Sequence, residues 1–298
     1  MTSETTIKEM TSGVIGALKY VRKHAGSQIV VKIGGSALRD AGLLQSLCED
    51  LAVIREVGIK LVVVHGGGPA INRELERRQI KWDFVEGIRV TTPEIMEVVE
   101  TILCGEVNRG LVRAMNAAGL SAVGMSGADS STLLCKAADP RLGLVGEVEQ
   151  VNTKLIEGII GLKDELDRPS IPVIAPVGIG EDGSAYNINA DWAASTIATE
   201  LGVKKMIFLT DQDGILNAGK ELLPELDAGD LEQLIDDGVV LGGMLAKVRT
   251  ILHALQNKVS EVHVLNGRRP SVLIDELFTE KGAGTVCRLR SRAPRKEV

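Results

Sequence analysis

QIVVKIGGSA (28–37) and KLVVVHGGGPAIN (60–72) decide the reading of this chain: each is a short β-branched run that breaks into bare glycines. A continuous apolar run of this length suits a strand buried on both faces of a sheet. Glycines placed directly after it leave backbone N–H groups uncovered by side chains, and a following helix adds the positive end of its dipole. In open α/β sheets ligands bind beyond the carboxyl ends of the strands. One such loop reads equally well as a tight turn. Two on successive strands predict a single anion-holding rim. Lys32 sits inside the first run. An ammonium among apolar neighbours is costly to bury alone, and a phosphate at the strand end would pair with it.

Working outward, SAVGM (121–125), IPVIAPV (171–177), KMIFLT (205–210) and EVHVLN (261–266) repeat the strand pattern. Helical spacing lies between them, near 40–57, 69–79, 93–118, 153–166, 190–201, 229–236 and 244–257. Alternating strands and helices predict an α/β fold, a mainly parallel open sheet between two helical layers. Residues 132–151 read as a hairpin excursion around Asp139-Pro140, and 80–91 as a second. Ahead of the first strand, residues 6–24 carry Ile7, Met10, Val14, Ile15, Leu18 and Val21 on one helical face. A lone domain has no need of that helix, so a second subunit is the expected place for its apolar side. The basic tail from Arg288 reads as a solvated end.

Composition narrows the function. The chain has 298 residues, a net charge of −6 and 2% aromatic residues, so its core is aliphatic. An acidic balance argues against nucleic acid or an anionic membrane as the main partner. No apolar run approaches the roughly 20 residues that cross a bilayer. Cys48, Cys104, Cys135 and Cys287 are widely spaced and share no ligand spacing with the histidines, so neither a metal site nor a disulfide is expected, as suits a reducing cytoplasm.

Further chemistry-bearing groups flank the strands. NINADWAAS (187–195) puts Asn187, Asn189 and Asp191 before an alanine-rich helix, more polar groups than one helix cap requires. LTDQDGIL (209–216) ends a strand on Asp211 and Asp213, as a turn or a ribose contact would require. GGMLAKV (242–248) brings Lys247 after two glycines. EGIRVT (86–91) offers Arg89, which can hold a carboxylate with two hydrogen bonds or sit in a surface ion pair. GIGEDG (178–183) fits a dinucleotide fingerprint, but Glu181 and Asp182 would repel a pyrophosphate, so it reads as a turn. No GxxxxGK[ST] loop and no nucleophile elbow occur.

VVKIGGSA, VVVHGGGP, EGIRVT, YNINAD, LTDQDG and GGMLAKV, in that order from about Tyr20 to Thr285, resemble the acetylglutamate kinase family of the amino-acid kinase superfamily. The resemblance implies a three-layer αβα sandwich of the carbamate kinase-like type. It implies an oligomerisation helix over 1–25 and a kinase domain over 26–298, with the acidic substrate held in a lobe near 26–180 and ATP in one near 181–287. By match to the family, Lys32 and Lys247 stabilise the transferring phosphoryl group and Asp191 organises them. Gly66, Gly67, Arg89 and Asn187 fall to the substrate N-acetyl-L-glutamate. Gly34, Gly35, Asp211, Gly214 and Met244 fall to phosphate and nucleotide. The cofactor implied is ATP with Mg²⁺. A carboxylate nucleophile is already ionised at neutral pH, which fits the want of a catalytic histidine. ELFTEKGAGT (276–285) resembles the arginine-sensitive members, which implies inhibition by L-arginine, a hexamer built as a trimer of dimers, and an effector site of Tyr20, Lys205, His263, Glu276 and Gly282.

The chain departs from the family at Ser36, where asparagine is common, at GADSS (127–131), where a lysine-containing stretch is usual, and at LNG (265–267), where an aspartate precedes the glycine. The second departure leaves open a kinase for another acylated or carrier-linked amino acid, such as a 2-aminoadipate. A ligand sensor of the same fold without turnover is the alternative from another class.

Overall fold

The computed structural model describes residues 24–35, 37–279 and 282–290, with 16, 18, 21 and 22 ahead of them. The helix expected over 6–24 falls almost wholly outside the described residues, and Tyr20 and Ser36 lie outside them too.

In chain order the strands are β1 (Gln28–Ile33), β2 (Lys60–His65), β3 (Phe84–Val85), β4 (Ile88–Arg89), β5 (Ala122–Ser126), β6 (Leu133–Ala137), β7 (Gly146–Val151), β8 (Ile171–Ala175), β9 (Val177–Ile179), β10 (Ala185–Asn187), β11 (Lys205–Thr210), β12 (Glu225–Asp227), β13 (Glu261–Asn266) and β14 (Thr285–Arg288). The helices are α1 (Ala41–Glu56), α2 (Gly68–Arg77), α3 (Pro93–Glu100), α4 (Asn108–Ala117), α5 (Lys154–Gly161), α6 (Ala190–Glu200), α7 (Ala228–Asp236), α8 (Gly242–Gln256) and α9 (Val272–Phe278). An eight-stranded sheet runs β12-β14-β13-β11-β1-β2-β8-β5. Its neighbours pair in parallel except β13 with β14, so β14 and β12 run against the rest.

Side chains alternate between the two faces of a strand, and the core divides accordingly. Ile29, Val31, Ile33, Leu61, Val63, Ile207 and Leu209 pack under α1, α4 and α9 through Leu51, Ile54, Leu111, Met115 and Leu273. Val30, Val62, Val64, Met206 and Phe208 face α5, α6 and α8 through Ile156, Ile197, Val248 and Ile251. These are the three layers expected. The alternation also assigns the polar residues near the carboxyl ends of the two central strands. Lys32 falls in the series of Val30 and is directed to the α6 side, whereas His65 falls in the series of Leu61 and Val63, on the α4 side.

Both predicted hairpins form: β6 pairs with β7, and β3 with β4. The first does not stand alone. It joins β9 and β10 in a four-stranded sheet, and GIGEDG makes the turn between those two short strands. Two helices differ from expectation. The helix expected over 153–166 stops at Gly161, because Asp164 accepts from the Leu166 and Arg168 N–H groups and folds 162–170 into a loop. Buried Arg55 fastens that loop through Pro169 O at 2.7 Å and Asp164 Oδ2 at 2.8 Å. The helix expected over 93–118 contains a π-helical stretch, Thr101–Val107, between α3 and α4. Such insertions recur at functional sites, and this one brings Leu103 and Val107 over Gly67.

Candidate active site

The carboxyl ends of β1 and β2 open into a cleft of about 400 Å³. Its floor is the pair of glycine loops. Gly34 donates its N–H to Leu209 O at 3.0 Å, and Gly66 donates to Ile33 O at 2.9 Å. The N–H groups of Gly35, Gly67 and Gly68 have no acceptor among the described residues. The free donors of the rim are therefore Gly35, Gly67 and Gly68, while Gly34 and Gly66 lock the loops onto the sheet. Two of these positions leave no room for a side chain: a Cβ on Gly35 would stand 2.9 Å from Pro69 Cδ, and one on Gly67 would strike Leu103, whereas a Cβ on Gly68 would meet nothing.

The three charged residues expected to act together do meet. Asn189 caps α6, accepting from the Asp191 and Trp192 N–H groups at 2.8 and 3.3 Å, and so fixes the helix start that carries Asp191. Lys32 Nζ reaches Asp191 Oδ1 at 2.7 Å, and Lys247 Nζ reaches Asp191 Oδ2 at 2.5 Å. Lys247 also lies 4.9 Å from the centre of the Phe208 ring. Burial works to raise the Asp191 carboxyl, but the two ammonium groups outweigh it and hold the acid well below the usual carboxylate range. Burial, reinforced by Lys32, draws the Lys247 ammonium down against the pull of Asp191. Two cations around one carboxylate leave a net positive charge at the strand ends, facing glycine N–H groups. That arrangement attracts a multiply charged anion.

The opposite wall carries Arg89, which is buried. Asn72 accepts a hydrogen bond from its Nη2, and its guanidinium carbon lies 4.7 and 5.9 Å from the ring centres of Phe84 and Trp82. Nη1 is buried with no partner among the described residues. A guanidinium with an unused donor in a cleft is a ready seat for a carboxylate. Asn187, from β10, lines the cleft and donates to Thr91 Oγ1 at 3.0 Å. Residues 127–131, one of the departures noted in the sequence, do not line the cleft.

Sequence reading missed part of the wall: Asn72, Phe84, Leu103, Val145 and Pro176. One signal was available. In a chain with 2% aromatics, Trp82 and Phe84 stand close before Arg89.

The residues expected for nucleotide lie beyond Lys247, past β11 rather than β2. Asp211 is exposed at the end of β11, and Met244 is half-buried at the start of α8. Gly214 has a packing duty as well. Its φ is +154°, and a Cβ there would come 2.5 Å from Thr285 Oγ1, which accepts nothing from Gly214 but takes the Ile215 N–H at 2.8 Å.

A second cluster sits at the amino ends of the strands. Lys205 pairs with Glu261 at 3.3 Å, His263 bonds Glu276 through Nδ1, and Glu276 Oε2 accepts the Ala283 N–H at 2.6 Å beside Gly282. So Lys205, His263, Glu276 and Gly282 are brought together, with Glu261 as a member the sequence did not suggest. A cavity of about 650 Å³ lined by His24, Gln28, Lys205 and Glu261 adjoins it.

Comparison with known proteins identifies the family. Residues 27–266 match the model of the amino acid kinase family. The chain is 44% identical over 287 residues to the acetylglutamate kinase of Clostridioides difficile (strain 630), covering 94% of this chain and 97% of that one. It is 43% identical over 285 residues to the acetylglutamate kinase of Granulibacter bethesdensis (strain ATCC BAA-1260 / CGDNIH1), covering 91% and 94%. Among solved structures, N-acetylglutamate synthase from Neisseria gonorrhoeae, complexed with coenzyme A and N-acetyl-glutamate, shares the fold. The TM-score is 0.82 at 24% identity, over 94% of this chain and 64% of that longer one. Loops, lysine pair and family match lead to one conclusion: the chain belongs to the amino acid kinase family.

Proposed function

We propose that this protein transfers the γ-phosphoryl group of ATP to the side-chain carboxylate of N-acetyl-L-glutamate, as an enzyme of arginine biosynthesis. The observation that carries the proposal is the Lys32–Asp191–Lys247 cluster, set between the free glycine N–H groups and the unused Nη1 of Arg89. Arg89 and Asn187 would hold the acidic substrate on the β2 side, in a lobe near 26–180. The nucleotide would lie on the β11 side near Asp211 and Met244, in a lobe near 181–287. The substrate carboxylate attacks the γ-phosphorus, the bond to the β–γ bridging oxygen breaks, and ADP leaves with the electron pair. The nucleophile is already an anion, so no proton has to be removed. Catalysis is then positioning and neutralisation of charge on the moving group, which the two lysines and the Gly35 and Gly67 N–H groups supply. Mg²⁺ would enter bound to the phosphates of ATP. Trapping the acyl phosphate with hydroxylamine tests the chemistry: hydroxamate should form with acetylglutamate, and ADP release without hydroxamate would refute it. Running 2-aminoadipate derivatives alongside separates the substrate classes.

The second cluster supports a regulatory reading. Glu261 and Glu276 offer two carboxylates for a guanidinium, and Lys205 an ammonium for a carboxylate, as inhibition by L-arginine requires. Inhibition would act by favouring one geometry of a hexamer joined through the N-terminal helix, in the cytoplasm. Removing residues 1–24 should leave a catalytically active dimer that ignores arginine. A full-length protein that is dimeric and indifferent to millimolar arginine would overturn this reading.

A further inference from the structure

Behind the glycine rim lies a polar chain, buried at its inner end and reaching the surface at Arg109, that the phosphoryl-transfer chemistry leaves unexplained. His65, at the end of β2, is fully buried on the α4 side of the sheet, and so is Asn108, the first residue of α4. Arg109 Nη2 donates to Asn108 Oδ1 at 2.7 Å. That bond settles which end of the Asn108 amide is oxygen, and its Nδ2 must then face His65 and β8. Nδ2 donates to Val173 O at 2.9 Å and to His65 Nε2 at 3.1 Å, its two hydrogens going to these nearer acceptors, with Met125 O farther off at 3.4 Å. His65 Nε2 is thus an acceptor, so the ring proton is on Nδ1, which lies 3.1 Å from Gly66 O and donates to it. Burial, with Arg109 and Lys32 close by, lowers His65 to about 4, so the ring is neutral and this tautomer persists across the working range.

Pinning Gly66 O has a consequence for the rim. The Gly66–Gly67 peptide is trans, and in a trans peptide the carbonyl and the next N–H point in opposite directions. With the Gly66 carbonyl turned back to His65, the Gly67 N–H is turned away from it. Gly67 lines the cleft, and its N–H is one of the donors without an acceptor. We infer that His65, oriented by Asn108 and Arg109, is a positioning residue that aims the Gly67 N–H at the transferring group. The inference rests on the phosphoryl-transfer reading of the same cleft.

The edge strand supports it independently. A Cβ on Gly124 of β5 would stand 2.6 Å from Arg109 Nη2 and would also strike Asn108 Oδ1. Gly124 therefore leaves the space through which Arg109 reaches Asn108, although it does not line the cleft.

The test uses the full-length protein. In ¹⁵N-resolved spectra of the wild type, His65 should carry its proton on Nδ1 and stay neutral down to about pH 5. A proton on Nε2 would overturn the inference whether or not the enzyme makes an acyl phosphate, so this measurement stands apart from the activity. His65→Leu, which removes the donor, should lower kcat by about 10²-fold, as loss of an oriented oxyanion donor does, with KM values changed far less. His65→Asn places an amide N–H at the Nδ1 position and should recover most of that loss. Gly124→Ala should lower kcat about tenfold while ATP and acetylglutamate still bind. If His65→Leu and Gly124→Ala both turn over like wild type, the relay does not position the rim. If His65→Asn is as slow as His65→Leu despite bound nucleotide, the donor to Gly66 O is not what matters.

Discussion

Lys32 and Asp191 come from opposite edges of one corner: the end of a central strand and the first turn of the helix laid across it, 2.7 Å apart. Strand alternation places the Lys32 ammonium on the α6 side, and the Asn189 cap places the Asp191 carboxylate there to meet it. Lys247 then completes the bridge from α8 at 2.5 Å. Lys32→Ala or Lys247→Ala should lower turnover by about 10²-fold or more, because in the proposed mechanism each ammonium would act on charge that grows in the transition state. Dissociation constants from calorimetry should move much less than kcat. Near-normal turnover in both variants would place the chemistry elsewhere.

Arg89 works differently. Its aromatic bed and its bond to Asn72 hold the guanidinium rigid with one donor unused. Lysine keeps the charge and loses the fork. Arg89→Lys should raise KM for the acidic substrate roughly tenfold, about the worth of one charge-assisted hydrogen bond. The KM for ATP should stay constant. A shift confined to ATP would move Arg89 to the nucleotide side.

Gly214 joins a proposed nucleotide contact to a packing constraint. An added methyl meets Thr285 Oγ1 and the Leu222 side chain. Gly214→Ala should therefore destabilise the fold by about 1–3 kcal/mol, the usual cost of overpacking. Denaturant unfolding measures this without substrate. Unchanged stability with lost nucleotide affinity would show that the glycine serves the ligand and not the packing.

Asp50 gives a pH signature. It is buried on α1 and accepts the Leu273 N–H at 3.1 Å, capping α9, because Ser271 at that helix start makes no side-chain cap. Burial raises its carboxyl from 3.8 to about 6. The folded pKa lies above the unfolded one, so the folded state holds the proton more tightly. This residue's contribution is complete below about pH 4 and is lost as pH rises through 6. Asp50→Asn removes that dependence. The difference between wild-type and variant stability curves should change by order 1–2 kcal/mol between pH 4 and 7. A constant difference across that range would show that Asp50 does not titrate there.

The sequence by itself determined the sheet's central strands, the two glycine rims and the lysine–aspartate set. β1, β2, β11 and β13 fall where the apolar runs stand, because strands buried on both faces need continuous apolar residues. Bare glycines after a strand are visible for the same local reason. Tertiary structure decided what depends on partners distant in sequence. β12 and β14 are only three or four residues long and exist through pairing with strands elsewhere in the chain, and the short β9–β10 hairpin finds its place in a sheet through β6. Which glycine N–H groups stay free depended on Leu209 O and Ile33 O claiming Gly34 and Gly66. The meeting of His65 with Asn108 and Arg109, across a π-helical stretch and an edge glycine, likewise has no local signature. A hydrogen bond between residues forty positions apart is set by how layers pack, and no spacing in the chain encodes it.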